Sequence, residues 1–332
     1  DGMQAAGVKL AKHIRDTNFM GFTQVLRNLR TIFKIMREIK EDILAFQPDA
    51  VVLIDYPGFN LRIAKFLREK GIKVFYYISP KVWAWKKSRV KKIRRDVDRL
   101  FAILPFEKEF FAKEGMEIDF VGHPLLDEIQ DGTYQGDALR AQFLKPNQRL
   151  VALLPGSRKQ EISRMLPRMM EVLPHFPNCK FVIAGAPTQS LAFYASLIGN
   201  RDIPVVTDQT YDLLDAADAA LVTSGTATLE TALFGVPEVV CYAGSAISVQ
   251  LARWLIQVKY ISLVNLILDR EAVKELIQQD LNTEQLSAEL RALLDDPDRR
   301  TKMLADYTDL RNRLGDTGAS SRTASLILQA IR

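Results

Sequence analysis

The sequence lacks several features that mark common classes of protein. No apolar stretch reaches the length of a transmembrane helix. The only two cysteines, Cys179 and Cys241, lie in apolar, strand-like runs, which predicts buried thiols rather than a disulfide framework. The three histidines have no Cys/His ligand spacing, so we expect no zinc site and interpret His123 as a structural residue at a domain junction.

Sequence motifs of several enzyme classes are also missing. No GxSxG, Walker A or GxGxxG sequence occurs, which weighs against an α/β-hydrolase, a P-loop NTPase and a GxGxxG-type dehydrogenase. The 332 residues are 48% hydrophobic, which is enough for about two domains with sizeable cores. The net charge of +5 suits a partner that carries phosphates or an anionic membrane, and it does not choose between them.

Residues 150–161, LVALLPGSRKQE, combine an apolar run, a Pro-Gly turn and a polar segment. The apolar run predicts a strand buried on both faces, and the capping-box spacing of Ser157 and Gln160 predicts a helix from about Arg158. Arg158 and Lys159 would then lie in the first turn, where cations oppose the helix dipole. This arrangement favours a bound anion such as a phosphate, although an ordinary strand-to-helix turn with two solvated cations fits the same residues.

Alternating patterns predict a parallel sheet in the second half of the chain. Strands are predicted over 150–154, 180–184, 203–206, 219–222 and 238–242, with helices near 159–174, 188–198, 210–217 and 226–234. The first half is predicted to hold helices over 23–46, over 61–69 with Asn60 as N-cap and from Glu107, and strands over 50–55, 73–78, 99–104 and 118–124. The polar residues 125–148 predict a domain boundary, and the chain after Ser245 is predicted to be helical with breaks near 264–268 and at Pro297.

Two strand ends carry candidate functional side chains. Asp55 ends the strand VVLID, at the edge where a doubly wound fold binds its ligand, so it is a candidate for contact with substrate. The alternative is a structural carboxylate that holds the following loop in place. The segment SGTATLE starts with the small residues Ser224, Gly225 and Thr226, which let a ligand approach the backbone closely. Glu230 in this segment is not at capping-box spacing, so helix capping does not explain it. A carboxylate at this position is able to accept hydrogen bonds from two hydroxyls of a ribose; the alternative is a solvated glutamate on the helix surface.

Residues 81–95 hold eight cations and no acid, together with Trp83 and Trp85. This pattern favours an anionic membrane surface or a phosphorylated lipid. A nucleic-acid patch is the rival interpretation, because cations with aromatic residues also suit single strands. A solvated helix face is the plainest alternative.

Several segments together resemble lipid-A-disaccharide synthase. They are FMGFTQVL, DAVVLIDYPGFN, YYISPKVWAW, ILPFEKEFF, DFVGHPLLD, LLPGSRKQEI, SGTATLETALFGVP and YISLVNLILDREAVKELIQ, in this order from near residue 19 to near residue 279. The resemblance implies an α/β protein with the GT-B fold, in which two Rossmann-like, doubly wound domains face a central cleft and the C-terminus is helical. It implies an acceptor-side domain over 1–127, a UDP-sugar domain over 128–310, and a helix over 311–332 that packs back on the first domain.

The resemblance also implies a reaction. The family joins UDP-2,3-diacylglucosamine to 2,3-diacylglucosamine 1-phosphate, and forms the β-1,6-linked disaccharide 1-phosphate and UDP at the cytoplasmic face of the inner membrane. The implied partners are these two substrates and the anionic membrane surface, with no nucleic acid and no cofactor; a homodimer is left open. Another UDP-sugar transferase or an epimerase of the same fold, and a non-catalytic phospholipid-binding protein, are the alternatives.

The family's functional positions map onto this chain by motif. Asp55 falls at the proposed catalytic aspartate and Arg158 at a required arginine. The implied donor-binding residues are Gly156, Ser157, Arg158, Ser224, Gly225, Thr226, Glu230, Asn265 and Glu275. The implied membrane or acyl-chain surface is Trp83, Trp85, Lys86, Lys87 and Arg89, and no metal ligand is implied.

The chain departs from the family pattern in two places. Gly58 stands where the family's D-A-P-D-F-N motif has a second acid, so an acidic side chain is missing from the loop beside Asp55. The family's first strand and its G-E-x-S-G-D turn are also missing, so the chain resembles a member without its first β-α-β unit.

Overall fold

The computed structural model describes residues 2–11, 29–85, 88–244 and 259–332. The strands are β1 (Ala50–Ile54), β2 (Lys73–Tyr77), β3 (Arg99–Ala102), β4 (Asp119–Phe120), β5 (Arg149–Leu154), β6 (Cys179–Gly185), β7 (Val205–Thr207), β8 (Ala219–Thr223), β9 (Glu238–Tyr242) and β10 (Lys274–Ile277). The helices before β5 are α1 (Gly2–Ala5), α2 (Leu29–Phe46), α3 (Pro57–Glu69), α4 (Val82–Trp85), α5 (Ser88–Asp96), α6 (Pro105–Lys113), α7 (Pro124–Asp131) and α8 (Gly136–Phe143). The later helices are α9 (Lys159–Met170), α10 (Leu191–Ile198), α11 (Thr210–Ala216), α12 (Thr226–Leu233), α13 (Leu263–Leu268), α14 (Thr283–Asp295), α15 (Pro297–Leu314) and α16 (Ala319–Ile331).

The first sheet is parallel, with the strands in chain order β1-β2-β3-β4. Alternate side chains of its strands point to opposite faces. One face packs on α3, α5 and α6 through a core that includes Ile63, Leu67, Ile93 and Phe111. The other face, centred on Phe75, packs on α16.

The second sheet is also parallel, with the order β10-β9-β8-β5-β6-β7. Both faces of β5 are covered, and its last five residues are buried, as the apolar run predicts. From β5 the chain builds outward to β7 and then returns to the other side of β5 for β8, so the direction of winding reverses between β5 and β8. In a doubly wound sheet, a crevice opens beyond the carboxyl ends of the strands at such a reversal.

The last helix connects the two halves of the chain. The Lys73 Nζ atom donates a hydrogen bond to the Ala330 carbonyl at 2.7 Å, and the Arg322 Nε atom donates to the Val121 carbonyl at 3.1 Å. Leu326 and its neighbours on α16 complete the apolar contact with the first sheet. The boundaries of the domains at residues 127 and 310 stay a prediction.

Residues 125–148, where the sequence predicts a domain boundary, hold α7 and α8; the Gly136 N–H at the start of α8 donates to the Asp215 carboxylate of α11 at 3.0 Å. Two predictions about elements are wrong. Residues 274–277, predicted to be helical, form the strand β10. Their apolar spacing also suits a helix, but they pair with the edge of β9 as a parallel strand. The predicted break at 264–268 is α13, and the first part of the predicted helix over 23–46 lies outside the described residues.

Two smaller expectations are adjusted by the structure. Cys241 is buried as expected, whereas Cys179 is only partly buried. Within the described ranges, no helix is both long enough and apolar enough to cross a membrane.

Candidate active site

The turns that follow β5 and β8 lie side by side at the reversal point of the second sheet. Leu154 pairs with Val222, so the segment starting at Gly156 and the segment starting at Ser224 leave neighbouring strands in the same direction. The fold therefore brings together the two segments from which the sequence predicts donor binding.

The turn after β5 needs its glycine and already binds a carboxylate. Gly156 has a φ of +107°, and a Cβ atom there would lie 2.3 Å from the Glu161 Oε2 atom. The Ser157 N–H donates to the same Glu161 atom at 3.1 Å. The helix begins at Lys159, within one residue of the prediction, with Arg158 as N-cap; the predicted capping box of Ser157 and Gln160 is wrong, and it is Glu161 that accepts the Ser157 N–H.

The cations of this turn lie at its outer surface. Arg158 is the N-cap residue of α9 and is exposed. The Lys159 Nζ atom lies 5.3 Å from the centroid of the Phe193 ring, which gives that cation an aromatic partner. Since the Ser157 N–H already holds an internal carboxylate beside these two cations, the turn has the chemistry of an anion site.

Glu230 lies on α12, and its carboxylate is half-buried. The Tyr211 hydroxyl donates to the Glu230 Oε1 atom at 3.2 Å. Burial raises the pKa of Glu230, the hydrogen bond from Tyr211 opposes that rise, and the negative charge of Glu128 adds to it. Phe234 and Tyr134 pack their rings against the Tyr211 ring, with centroids 5.2 and 5.8 Å away.

Tyr211 was not among the predicted site residues. The available signal was its position, because it follows β7 at the start of a helix, at the same edge of the sheet as Ser224. The sequence does not indicate that its hydroxyl reaches a glutamate 19 residues away.

Asn265 and Glu275 belong to a hydrogen-bond network that is linked to Ser224, in the turn after β8. Glu275 accepts hydrogen bonds from the Ile261 N–H, from the N–H and hydroxyl of Ser262 and from the Asn265 amide. Asn265 is fully buried; it also donates to the Val273 carbonyl and accepts two backbone N–H groups, so its hydrogen-bonding capacity is used within the chain. The Ser224 hydroxyl donates to the Ile261 carbonyl at 2.9 Å, which ties this network to the crevice.

A second group of polar residues lies at the carboxyl edge of the first sheet. Asp55 and Tyr56, directly after β1, have φ values of 43° and 44°, and Ile78, directly after β2, has a φ of 63°. Non-glycine residues rarely adopt this left-handed region, and such strain clusters at functional sites. The Asp55 side chain is exposed.

Hydrogen bonds hold the Asp55 backbone in this conformation. Its carbonyl accepts from the Tyr76 hydroxyl at 2.5 Å and from the Asn60 Nδ2 atom at 2.8 Å. The prediction that Asn60 caps a helix is therefore wrong: α3 begins at Pro57, and Asn60 lies in its first turn, where it reaches back to the end of β1.

Of the predicted membrane residues, the structure describes the side chains of Trp83 and Arg89, and both are partly buried. The Trp83 Nε1 atom donates to the buried carboxylate of Glu107 at 3.1 Å, and its ring meets Phe106 edge-on. Burial raises the pKa of Glu107 to about 7. Arg89 is half-buried and burial lowers its pKa, while Lys86, Lys87 and the Trp85 side chain lie outside what the structure describes.

Lys81 is exposed, and α5 carries further exposed cations. Val90 and Ile93 turn inward, and the outer face carries Lys91, Lys92, Arg94 and Arg95.

His123 is buried and caps α7, since its Nδ1 atom accepts the Leu125 N–H, and burial lowers its pKa to about 4. This geometry agrees with the structural role predicted for His123.

The two carboxyl edges meet. Leu104 and Leu126, which follow β3 and β4, belong to the same apolar core as Ile162 and Leu229 beneath the crevice of the second sheet. The carboxyl edge of the first sheet, on which Asp55 lies, therefore adjoins the second sheet through a shared apolar core.

Comparison with known proteins decides the family. A family model described as lipid-A-disaccharide synthetase matches residues 1–331. This chain belongs to the lipid-A-disaccharide synthase family. It is 42% identical to the lipid-A-disaccharide synthase of Syntrophus aciditrophicus, over 99% of this chain and 88% of that protein. It is 38% identical to that of Geobacter metallireducens, over 99% and 87%.

Solved structures support the GT-B fold of this family member. A UDP-GlcNAc 2-epimerase from Neisseria meningitidis aligns with a TM-score of 0.64 at 13% identity, over 94% of this chain and 83% of that chain. A MurG from Acinetobacter baumannii aligns with a TM-score of 0.54 at 16% identity, over 97% and 82%. As a member of this family, the chain is a glycosyltransferase of lipid A biosynthesis, and this function is favoured over the epimerase and the non-catalytic alternatives.

Proposed function

We propose that this chain transfers the sugar of UDP-2,3-diacylglucosamine to the 6-hydroxyl of 2,3-diacylglucosamine 1-phosphate. The products are the β-1,6-linked disaccharide 1-phosphate and UDP. The observation that carries this proposal is the reversal of strand order between β5 and β8, where the turn that binds the Glu161 carboxylate lies beside the helix that carries the half-buried Glu230. Family membership supports the same substrates.

The donor binds in this crevice. Arg158 and the Ser157 N–H hold the diphosphate, and Glu161 yields its hydrogen bond to a phosphate oxygen when the donor arrives. Glu230 accepts the ribose hydroxyls, with its Oε1 atom steadied by Tyr211. Gly156, Gly225 and Thr226 leave room for the nucleotide, while Asn265 and Glu275 hold the chain behind Ser224.

The reaction is a direct displacement. Asp55 removes the proton of the acceptor 6-hydroxyl, and the oxygen attacks the anomeric carbon of the donor as its bond to the diphosphate breaks. One displacement inverts the α-linked donor to a β-linked product. Arg158 and the amides of the turn stabilise the negative charge that develops on the departing UDP.

Turnover of two donors tests this function. The full-length enzyme is incubated with the acceptor and either UDP-2,3-diacylglucosamine or UDP-GlcNAc, and the products are separated by chromatography, which resolves epimers of equal mass, and then identified by mass spectrometry. We expect UDP and the disaccharide 1-phosphate from the acylated donor only. Conversion of UDP-GlcNAc to its epimer would favour the epimerase, and binding without turnover of either donor would favour a non-catalytic protein.

We also propose that the protein binds the anionic cytoplasmic surface of the inner membrane. The exposed cations Lys91, Lys92 and Arg94 on α5 support this surface, together with exposed apolar side chains of α2 such as Phe33 and Phe46. These helices lie on the same side of the first sheet as α3, which packs on both. Cations near an anionic surface each contribute about 1 kcal/mol, an attraction that salt screens.

Vesicle sedimentation tests the membrane proposal. We expect binding to phosphatidylglycerol vesicles to fall as salt rises, and to fall in the double variant with Lys91→Gln and Lys92→Gln. The control carries the same loss of charge on the second domain, Lys145→Gln with Lys302→Gln, and should bind like the parent. Equal losses in both double variants, or equal binding to neutral vesicles, would argue against a dedicated surface.

A further inference from the structure

The backbone of Asp55 is fixed at every polar atom. Its N–H donates to the Tyr77 carbonyl at 3.0 Å, and its carbonyl accepts from Tyr76 and Asn60. The two donors come from different elements, β2 and α3. Because no regular secondary structure needs these side-chain bonds, they are specific to the turn that presents Asp55.

The conformation that they hold is an unfavourable one. Asp55 and Tyr56 are consecutive non-glycine residues in the left-handed region. Strain of this kind persists only where the surroundings over-determine it. Along β1, Leu53 is buried and Ile54 is exposed, so a continued strand would turn the side chain of residue 55 inward. The turn instead exposes the Asp55 side chain to solvent at the carboxyl edge of the sheet.

Tyr76 is the more informative of the two donors. Its side chain is fully buried, and its hydroxyl reaches the Asp55 carbonyl at 2.5 Å. Burial and the nearby charge of Asp55 raise the pKa of Tyr76, so that its hydroxyl keeps its proton and remains a donor at every pH of an enzyme assay.

We propose that Tyr76 and Asn60 are positioning residues, which hold the strained Asp55 backbone so that its carboxylate meets the acceptor hydroxyl. This inference rests on the proposed role of Asp55 as the general base. It assigns to a buried tyrosine a role in the rate of the chemical step rather than in donor binding. Displacement of a reacting group by about 1 Å costs up to about 100-fold in rate, so losing one such bond has a measurable effect.

The neighbouring tyrosine provides a matched control. Tyr77 follows Tyr76 in β2, points to the opposite face and packs against α16. Tyr76→Phe and Tyr77→Phe each remove one hydroxyl from the same strand and keep the ring. Only the first removes a bond to Asp55.

Steady-state kinetics with the full chain test the proposal. We expect Tyr76→Phe to lower kcat about 10-fold, with KM for the donor and affinity for UDP unchanged, because the donor binds on the other sheet. The acidic limb of the pH–rate profile should remain, since the carboxylate is still present. Tyr77→Phe should keep the parent kcat. Asn60→Ala should lower kcat in the same way, and it keeps the test available if Tyr76→Phe does not fold.

A double variant separates this inference from the role of Asp55. If Tyr76 acts through Asp55, the variant with both Asp55→Asn and Tyr76→Phe should be no slower than Asp55→Asn alone. A parent-like kcat for Tyr76→Phe and Asn60→Ala, or losses that multiply in the double variant, would overturn the positioning role while leaving Asp55 as the base. A fully active Asp55→Asn enzyme would instead overturn the assignment of the base, and the inference with it.

Discussion

The carboxyl edges of the two sheets are built in different ways. In the second sheet, the turns after β5 and β8 contain Gly156 and Gly225, both with positive φ, and the Ser157 N–H bonds the Glu161 carboxylate. In the first sheet, Asp55, Tyr56 and Ile78 adopt left-handed conformations without a glycine. Asp208 after β7 and Gln278 after β10 are left-handed as well, so the difference lies between the two glycine turns at the reversal point and the glycine-free turn at Asp55, which hydrogen bonds from Tyr76 and Asn60 hold.

This difference suggests that the two edges have different functions, one in binding the diphosphate and the other in removing a proton. A site that binds a diphosphate needs amides and cations that a ligand can reach, which small residues supply without strain. A site that moves a proton needs one carboxylate in one place, and strain in a turn held from behind can fix it there. We therefore expect substitutions at the second sheet to change donor affinity or leaving-group stabilisation, and substitutions at the first sheet to change the rate of proton removal.

Arg158→Ala should have the largest effect among the donor-side substitutions. Loss of a charged donor that stabilises the departing diphosphate should lower kcat/KM about 100- to 1,000-fold. Arg158→Lys should recover only part of this, because the planar guanidinium is lost. Lys159→Ala is the control, since that cation lies over Phe193. Equal losses in Arg158→Ala and Lys159→Ala would show a general charge effect rather than a specific contact.

Glu230→Gln should weaken UDP binding without slowing the chemistry to the same degree. Hydrogen bonds to a charged group are worth about 1.5–3 kcal/mol, so we expect UDP affinity to fall about 10- to 100-fold in calorimetry. Tyr211→Phe should weaken UDP binding less, because it leaves the Glu230 carboxylate in place. The nearby carboxylate of Glu128 offers a control, and Glu128→Gln should not weaken binding. Unchanged UDP affinity in Glu230→Gln would place the ribose elsewhere.

Substitution of Glu238 should change the free energy of unfolding and leave kcat unchanged. It begins β9, at the opposite edge of the sheet from the crevice, and its buried carboxylate has no hydrogen-bond partner among the residues that the structure describes. Burial, with repulsion from Glu275, holds the pKa of Glu238 well above its usual range. Above pH about 4.5 the folded protein therefore keeps a proton that the unfolded chain releases, and the free energy of unfolding falls as pH rises, by up to about 1.4 kcal/mol per pH unit.

Urea denaturation between pH 5 and pH 8 measures this effect. Glu238→Gln should remove the downward slope that Glu238 contributes and raise the stability at pH 8 by about 1 kcal/mol or more. Its kcat should equal that of the parent. The same slope in the variant and the parent would show that another group carries the pH dependence.

Most strands of both sheets can be predicted from the sequence, for a physical reason. Buried parallel strands such as β5 and β9 are continuous apolar runs, and the predicted strand over 238–242 agrees with β9 at both ends. β10 was missed because its edge position depends on pairing with β9, which apolar spacing does not encode.

The candidate site was predictable where the signal is local. The turn at Gly156 and the small residues after β8 can be found from their own neighbours in the chain. The contacts of Tyr211 with Glu230, of Tyr76 with Asp55 and of Trp83 with Glu107 join residues that are 19 to 24 positions apart. These contacts depend on how helices and strands pack, so only the folded chain reveals them.

The division between the two sheets is tested most directly by measuring kcat and UDP affinity together for Asp55→Asn in the full-length enzyme. General-base catalysis is typically worth about 100- to 10,000-fold. We predict a loss of kcat in this range, disappearance of the acidic limb of the pH–rate profile, and UDP affinity equal to that of the parent. An Asp55→Asn enzyme that keeps the acidic limb, or that loses UDP affinity as much as it loses kcat, would contradict a base on the first sheet and a separate donor site on the second.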